Sequence, residues 1–310
     1  MVKNYFLSFF TILFFSAGLL AQEIRIFKVG DFDLNGRVKT CLVITDYGRE
    51  LFEFDTEGFL TRTVTQYNDT DQDITYYKYA GGQLVEKRME SYKDEVLDAA
   101  TSMANFYTRD SLQPRKVMEQ IISYDKEFIE QQEYLYDDED RLVKITTSHA
   151  GGVDESTIEY ASFKNESTKS YFINAILEKS VRTSERKRAG STQKVILTKE
   201  YVDGEPNKAE EEVFDTLGKL LSSEMFEYDV VKNEFASLKK LFYSYNAEGI
   251  LEKVTTRTNN SESVKEYIFQ FDSNAEKNWT KQIITPDNDY STRRITYYPE
   301  ENEKQSGDSN

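Results

Sequence analysis

The chain is poor in the residues that covalent and metal-based chemistry recruit, with one cysteine and one histidine among 310 residues. A single cysteine, Cys41, excludes an internal disulfide framework, so stability must come from packing and sheet hydrogen bonds. Cys41 itself lies in the strand-like Thr40-Cys41-Leu42-Val43-Ile44 and reads as a small buried residue. The lone His149, in Ser148-His149-Ala150-Gly151-Gly152, reads as a solvated turn residue. It leaves no credible base for a serine or cysteine nucleophile, and one His with one Cys is too few for zinc. Phosphate loops and dinucleotide fingerprints are missing as well. Proline is scarce: Pro114, Pro206, Pro286 and Pro299 all avoid the clear strand cores, as sheet pairing demands. Positive charge is also short, with 39 Lys and Arg against 55 Asp and Glu. Such a surface repels nucleic acid and anionic membranes, and reads first as the solubility of an exported protein.

Long apolar runs are limited to one. Lys3 precedes the apolar stretch from Phe6 to Leu20, and the segment closes through the small residues of Ser16-Ala17-Gly18-Leu19-Leu20-Ala21 ahead of Gln22. Residues 1–21 therefore read as a secretory signal cut after Ala21, being shorter than the roughly 20 apolar residues a spanning helix needs. Its removal takes away Lys3 and no acid, leaving 38 bases, 55 acids and a formal charge of −17. No other segment is able to span a bilayer as a helix.

What the chain has in abundance is one short phrase, repeated with variations. It consists of an alternating run, an aromatic followed by Asp or Asn, a turn, and another alternating run. Clear copies are Phe54-Asp55-Thr56-Glu57-Gly58-Phe59-Leu60, Tyr136-Asp137-Asp138-Glu139-Asp140-Arg141-Leu142, Phe214-Asp215-Thr216-Leu217-Gly218-Lys219-Leu220 and Tyr245-Asn246-Ala247-Glu248-Gly249-Ile250-Leu251. Tyr79-Ala80-Gly81-Gly82 and Phe271-Asp272-Ser273-Asn274 are looser copies, and Tyr160, followed by Ala161, is the weakest. Phe54 to Tyr79 is 25 residues and Tyr245 to Phe271 is 26, while the longer gaps read as two degraded units each. Internal repetition on this scale decides architecture before any local assignment. Period-two runs such as Phe59 to Tyr67 are strands, and the Asp/Asn/Gly segments supply the positive backbone angles of tight hairpins. The expected fold is therefore all-β: repeated antiparallel hairpins forming an extended, twisted and curved open sheet over residues 22–298. One short helix is expected over Asp94–Met103, from the spacing of Val96, Leu97, Ala100 and Met103. Exposed loops are expected at 185–191 and 203–207, with a disordered polar tail at 299–310.

The aromatic-Asp turn followed by a basic residue and Leu, seen in Tyr136 to Leu142 and Phe214 to Leu220, resembles the YD repeat of the Rhs family. The opening Asp33-Leu34-Asn35-Gly36-Arg37-Val38 and the closing Phe271-Asp272 through Asn278-Trp279 to Tyr297-Tyr298 resemble secreted YD-repeat proteins of Bacteroidota-type bacteria. The resemblance implies hairpin repeats; large Rhs members wind them into a shell around a toxin cargo. This chain is too short, on that expectation, to close such a shell.

Candidate sites are few. Asp31, Asp33 and Asn35, ahead of Gly36, match the first half of a calcium loop, where alternate oxygens and a glycine turn surround a hard cation. The twelfth position is Leu42 and the ninth Lys39, so a turn ahead of a strand is the simpler reading, and no cofactor is expected beyond a calcium ion there. Tyr77, Tyr79, Tyr243, Tyr245 and Tyr297 are candidate binding-face aromatics, able to stack on sugars or on a partner if exposed. With 55 acids, carboxylate pairs arise by chance, and none stands out as a glycosidase pair. The basic Arg186 to Arg188 stretch breaks the repeat and is a further place to look. The reading that follows is an exported, non-enzymatic binding or structural protein of the cell envelope, whether periplasmic, cell-surface or secreted. Its partners would be protein or glycan at the cell surface, not nucleic acid. The alternatives are a secreted carbohydrate-active hydrolase with paired carboxylates and a calcium-stabilised propeller.

Overall fold

A computed structural model of the chain describes residues 24–110, 115–188 and 190–299. The expected signal at 1–21, and the expected tail beyond Pro299, lie outside the described residues. The first strands are β1 (Val38–Thr45), β2 (Gly48–Phe54), β3 (Leu60–Gln66), β4 (Gln72–Ala80), β5 (Gln83–Lys93), β6 (Val96–Leu97) and β7 (Met103–Asp110). They continue as β8 (Lys116–Ser123), β9 (Phe128–Tyr136), β10 (Leu142–His149), β11 (Gly152–Phe163), β12 (Glu166–Ile173), β13 (Ile176–Arg188) and β14 (Ser191–Val202). The last are β15 (Glu205–Phe214), β16 (Leu220–Asp229), β17 (Glu234–Tyr245), β18 (Leu251–Thr258), β19 (Glu262–Phe271), β20 (Trp279–Thr285) and β21 (Asp289–Tyr297). All belong to one antiparallel sheet in which each strand pairs with its sequence neighbours, except that β5 pairs with β7 and carries the two-residue β6 at its end.

The sheet is not open. β1 pairs with β21 from Thr40↔Thr296 to Ile44↔Thr292, which closes the other 20 strands into a barrel and overturns the expected extended sheet. Two physical features account for closure. An open sheet would leave the outer edges of β1 and β21 as rows of unpaired N–H and C=O groups, and each satisfies the other. Bulges recur beside the aromatic-Asp turns, at Glu53/Phe54, Lys78/Tyr79, Leu142/Lys144, Val213/Phe214, Ser244/Tyr245 and Gln270/Phe271, and each bends its strand. Curvature added hairpin by hairpin makes a chain of this length sufficient for a ring about 95 Å around, at the usual ~4.8 Å strand spacing.

Two local expectations also fail. Over Asp94–Met103 there is no helix: Asp94 and Glu95 have φ of 50° and 64°, Val96–Leu97 is β6, and β7 begins at Met103. Asp98 holds the connection instead, its carbonyl accepting the Ser102 N–H and Oγ–H, while the Ser91 N–H donates to Ser102 Oγ. The expected loops at 185–191 and 203–207 are shorter than read. β13 runs through Arg188, so Arg186, Lys187 and Arg188 sit on a strand arm, and β15 starts at Glu205.

The aromatic-Asp phrase builds one turn many times. In Phe214 to Leu220, Asp215 Oδ1 accepts the Leu217 and Lys219 N–H groups, both at 2.8 Å, and Gly218 takes a φ of 81° that a side chain would strain. Asp55, Asp137 and Asn246 make the same pair of bonds in their turns. A tyrosine at the end of the adjoining strand then latches the turn. Tyr79 donates to the Leu60 carbonyl, Tyr160 to that of Leu142 and Tyr245 to that of Leu220, at 2.8, 2.9 and 2.9 Å. The residue before each leucine lies against the same ring: Phe59 on Tyr79, Arg141 over Tyr160, Lys219 over Tyr245. Asp215→Ala removes the acceptor of both bonds and is expected to cost about 1–2 kcal/mol, read as a lower urea midpoint at unchanged slope.

Because every phrase joins the second strand of one hairpin to the next, these turns all fall on one rim, together with the start of β1 and the end of β21. We call it the near rim; the turns at 46–47, 67–71, 124–127, 203–204 and 230–233 belong to the far rim.

Candidate functional site: the lumen wall

Strand register assigns one side-chain phase to the lumen all round the ring. Residues 24–34, with a one-turn 3-10 helix at Val29–Phe32, lie against that phase just inside the near rim. Val29, Phe32 and Leu34 bury themselves with Cys41 and Val43 of β1, Phe52 and Phe54 of β2, Tyr77 of β4 and Leu84 of β5; Tyr107 of β7 and Ile295 of β21 reach the same cluster. A convex face turns the side chains of successive strands apart, and only the concave face brings them to one cluster. Ile24 also packs against a second cluster on β8 to β11, formed by Val117, Tyr134, Tyr136, Leu142, Ile145 and Ile158. The segment thus fills the lumen along one part of the wall.

Polar bonds fix its place. Arg293 of β21, buried, donates to the carbonyls of Phe32 and Asp33 at 3.1 and 3.0 Å and lies 3.5 Å from the Trp279 ring centroid. Trp279 donates to Asp33 Oδ2, and Asn278 forms a two-way pair with the Asn35 backbone. This is what the candidate calcium half-loop does in the fold. Asp31 accepts the Lys28 N–H and faces Arg25, Asp33 serves Trp279, and Asn35 pairs through its backbone. Among the described residues no three His, Cys, Asp or Glu side chains converge as a metal set. Cys41 is buried in the same cluster, and burial pushes its thiol up to about 11.

The five candidate tyrosines are all on the lumen phase. Tyr77 is buried, and burial pushes its hydroxyl up to about 12. Tyr79 and Tyr245 are half-buried latches with their hydroxyls spent on carbonyls. Tyr297 donates to Asp272 and accepts from Asn278 Nδ2 at 2.8 Å. Tyr243 is half-buried, and burial, then the negative charge of Glu210, pushes it up to about 12.

Sequence reading missed the most connected group on the wall. Glu119 of β8, buried, accepts from Asn105 Nδ2 at 2.6 Å, Tyr107 Oη at 2.8 Å and Tyr134 Oη at 2.5 Å. Lys87 of β5 sits close enough to feel its charge, although burial, the larger effect, lowers the lysine below its usual range. The available signal was a Glu on the same strand phase as Val117 and Ile121, a charge where period two asks for an apolar residue. Further round, Glu210 and Glu212 of β15 share the lumen phase, and Ser223 Oγ donates to Glu210. Burial, then the charge of Glu210, raises Glu212 above its ordinary value. A raised carboxyl keeps its proton in the folded state after the unfolded chain has released it. Stability therefore falls as pH rises from the unfolded value of about 4.3 through the folded one, then stays flat. Glu212→Gln is expected to stabilise at pH 7 by a few tenths of a kcal/mol after solvent screening, and to have no effect below pH 4, by thermal melts at both pH values.

No known family profile and no curated relative matches the chain. Among solved structures it is similar to a protein of unknown function from Bacteroides fragilis NCTC 9343, at 12% identity and a TM-score of 0.19, covering 56% of this chain and 92% of that one. It is also similar to a porin-like protein from Bacteroides vulgatus ATCC 8482, at 10% identity and a TM-score of 0.26, covering 86% of this chain and 100% of that one. Overlaps this small bear on neither fold nor function.

Proposed function

We propose that the chain is an exported, water-facing barrel of the cell envelope that works by binding rather than by turnover. The outer wall carries the reading. Opposite the lumen phase, Arg88 of β5 pairs with Glu86 and Glu90 and lies over Tyr76, whose ring also faces Arg62, itself paired with Glu53. Lys144–Glu155 and Lys240–Glu224 repeat the pattern across the middle of other strands. A lipid-facing wall is an apolar band, and each Lys or Arg at the bilayer midplane costs about 2–4 kcal/mol. Paired charges on several mid-barrel strands suit water. The export half rests on the apolar run behind Lys3, and the resemblance to secreted YD-repeat proteins agrees with it. The binding half rests on the half-buried rings of Tyr79, Tyr243 and Tyr245 on the lumen wall, whose uncovered parts could meet a ligand although the hydroxyls of Tyr79 and Tyr245 are spent on carbonyls.

The test is fractionation and conductance of the full chain. It is expected in the periplasm or medium after expression with residues 1–21, to stay monodisperse without detergent, and to leave planar bilayers silent. A requirement for detergent, or unitary conductance steps, overturns the water-facing reading. Hydrolysis of a polysaccharide panel by the purified protein overturns the non-enzymatic one.

A further inference from the structure

The two rims differ in a way that barrel construction does not require. Among the described residues, 21 large apolar side chains stand exposed, of which twelve lie in far-rim turns or on the two strand residues flanking them, and three lie at the near rim. Single exposed apolar residues need no explanation, but a ring of them at one end does. At the near rim Phe59 folds inward, buried beneath Lys28 and against Tyr79, while Leu217 stands exposed. At the far rim the apolar turn residues point away from the barrel. Tyr47 is 91% exposed, Val230 81% and Val231 95%, with Tyr124, Phe128 and Val202 about half exposed.

Charge divides the same way. Taking each turn with one strand residue on either side, the far rim carries fifteen acids and three bases, the near rim twelve and seven. Acid and apolar side chains alternate along the far rim, as Asp46-Tyr47, Tyr124-Asp125, Val202-Asp203 and Asp229-Val230-Val231. Acids cap their own turns at both rims, Asp55, Asp137 and Asp215 at the near rim and Asp98 and Asp229 at the far rim, so the difference between the rims lies in the balance of acids and bases.

We propose that the far rim is a docking surface for a partner protein that presents a basic, apolar segment. Charge complementarity selects that occupant. A second copy would bring an acidic rim of either kind against this one, and an anionic bilayer would repel it. The apolar tips would supply contact area, and the acids between them orientation and encounter rate. This rests on the water-facing reading only in requiring the rim to be reachable from solvent, and detergent-free monodispersity tests that separately.

Fluorescence anisotropy with two labelled 20-residue probes decides it, one alternating Lys with Leu and the other alternating Lys with Ser. The intact barrel is expected to bind the Lys/Leu probe at least tenfold more tightly. The triple variant Tyr47→Ser, Val230→Ser, Val231→Ser should lose most of that preference while its thermal melt stays put. Leu217→Ser, an 80% exposed near-rim site, should keep it. Equal affinity for the two probes would reduce the rim to a diffuse counterion surface and overturn the proposal. So would a preference that survives the triple variant, or partitioning of the barrel onto zwitterionic vesicles with the affinity of the Lys/Leu probe.

Discussion

Phe32→Ala is expected to destabilise the barrel by about 3–5 kcal/mol, the range for emptying a buried aromatic site. Phe32 is 6% exposed, and its ring centroid lies 4.7 Å from that of Phe52, 5.4 Å from Phe54 and 6.2 Å from Phe27. Three rings around one side chain leave a void that rigid strands cannot collapse into, since Phe52 and Phe54 are held by β2 pairing with β1 and β3. The measurement is urea unfolding, with Phe163→Ala as the control. Phe163 is 71% exposed at the same rim, and its truncation should change the unfolding free energy by less than about 0.5 kcal/mol. A Phe32 effect no larger than the control's would mean that residues 24–34 are not seated in the lumen.

Arg293→Met is expected to cost about 3–5 kcal/mol as well, for a different reason. Methionine keeps much of the stem but leaves the Phe32 and Asp33 carbonyls buried without their donors, at about 1–3 kcal/mol each. It also removes the cation from the face of Trp279. That ring is the chain's one tryptophan, so its emission should report the change directly, apart from any loss of stability. Because Arg293 holds the backbone of Phe32 itself, the double variant should be less destabilised than the two singles added together. Strict additivity would separate the two contacts and refute a shared dock.

The turn phrase was legible because it is short-range chemistry. Asp55, Asp137, Asp215 and Asn246 each cap backbone within four residues, so residue type and spacing suffice to read them. Tyr160 shows the limit of reading by motif. Like Tyr79 it lacks a following Asp or Asn, yet both make the same carbonyl latch as Tyr245, because the latch depends on the ring and not on its neighbour. The short helix was misread because Val96, Leu97, Ala100 and Met103 carry helical spacing, while positive φ at Asp94 and Glu95 and the Ser91–Ser102 contact belong to a hairpin. Closure was not legible at all, because nothing local at Val43 announces Arg293 as its partner. On the candidate site, Asp31 to Asn35 stood out as oxygen-rich, and the structure shows those groups docking the segment to Arg293, Trp279 and Asn278. Glu119 stayed hidden because its partners arrive from β7 and β9.

The β1–β21 pairing gives the barrel a seam. Every other ladder joins strands next to each other along the chain, or separated only by β6, and so closes a short loop. This one joins residues about 250 positions apart, from Thr40 with Thr296 to Ile44 with Thr292. Loop-closure entropy grows with the logarithm of length, so this is the costliest single closure in the ring. Hairpins can form early and independently, whereas the ring can lock only once both ends of the chain have arrived. β1 begins and β21 ends at the near rim, so a permutant that links residue 299 to residue 24 through a flexible linker and opens the chain at a far-rim turn would move the seam elsewhere. The folding rate of such a permutant would show how much of the barrier is the cost of bringing the two ends together.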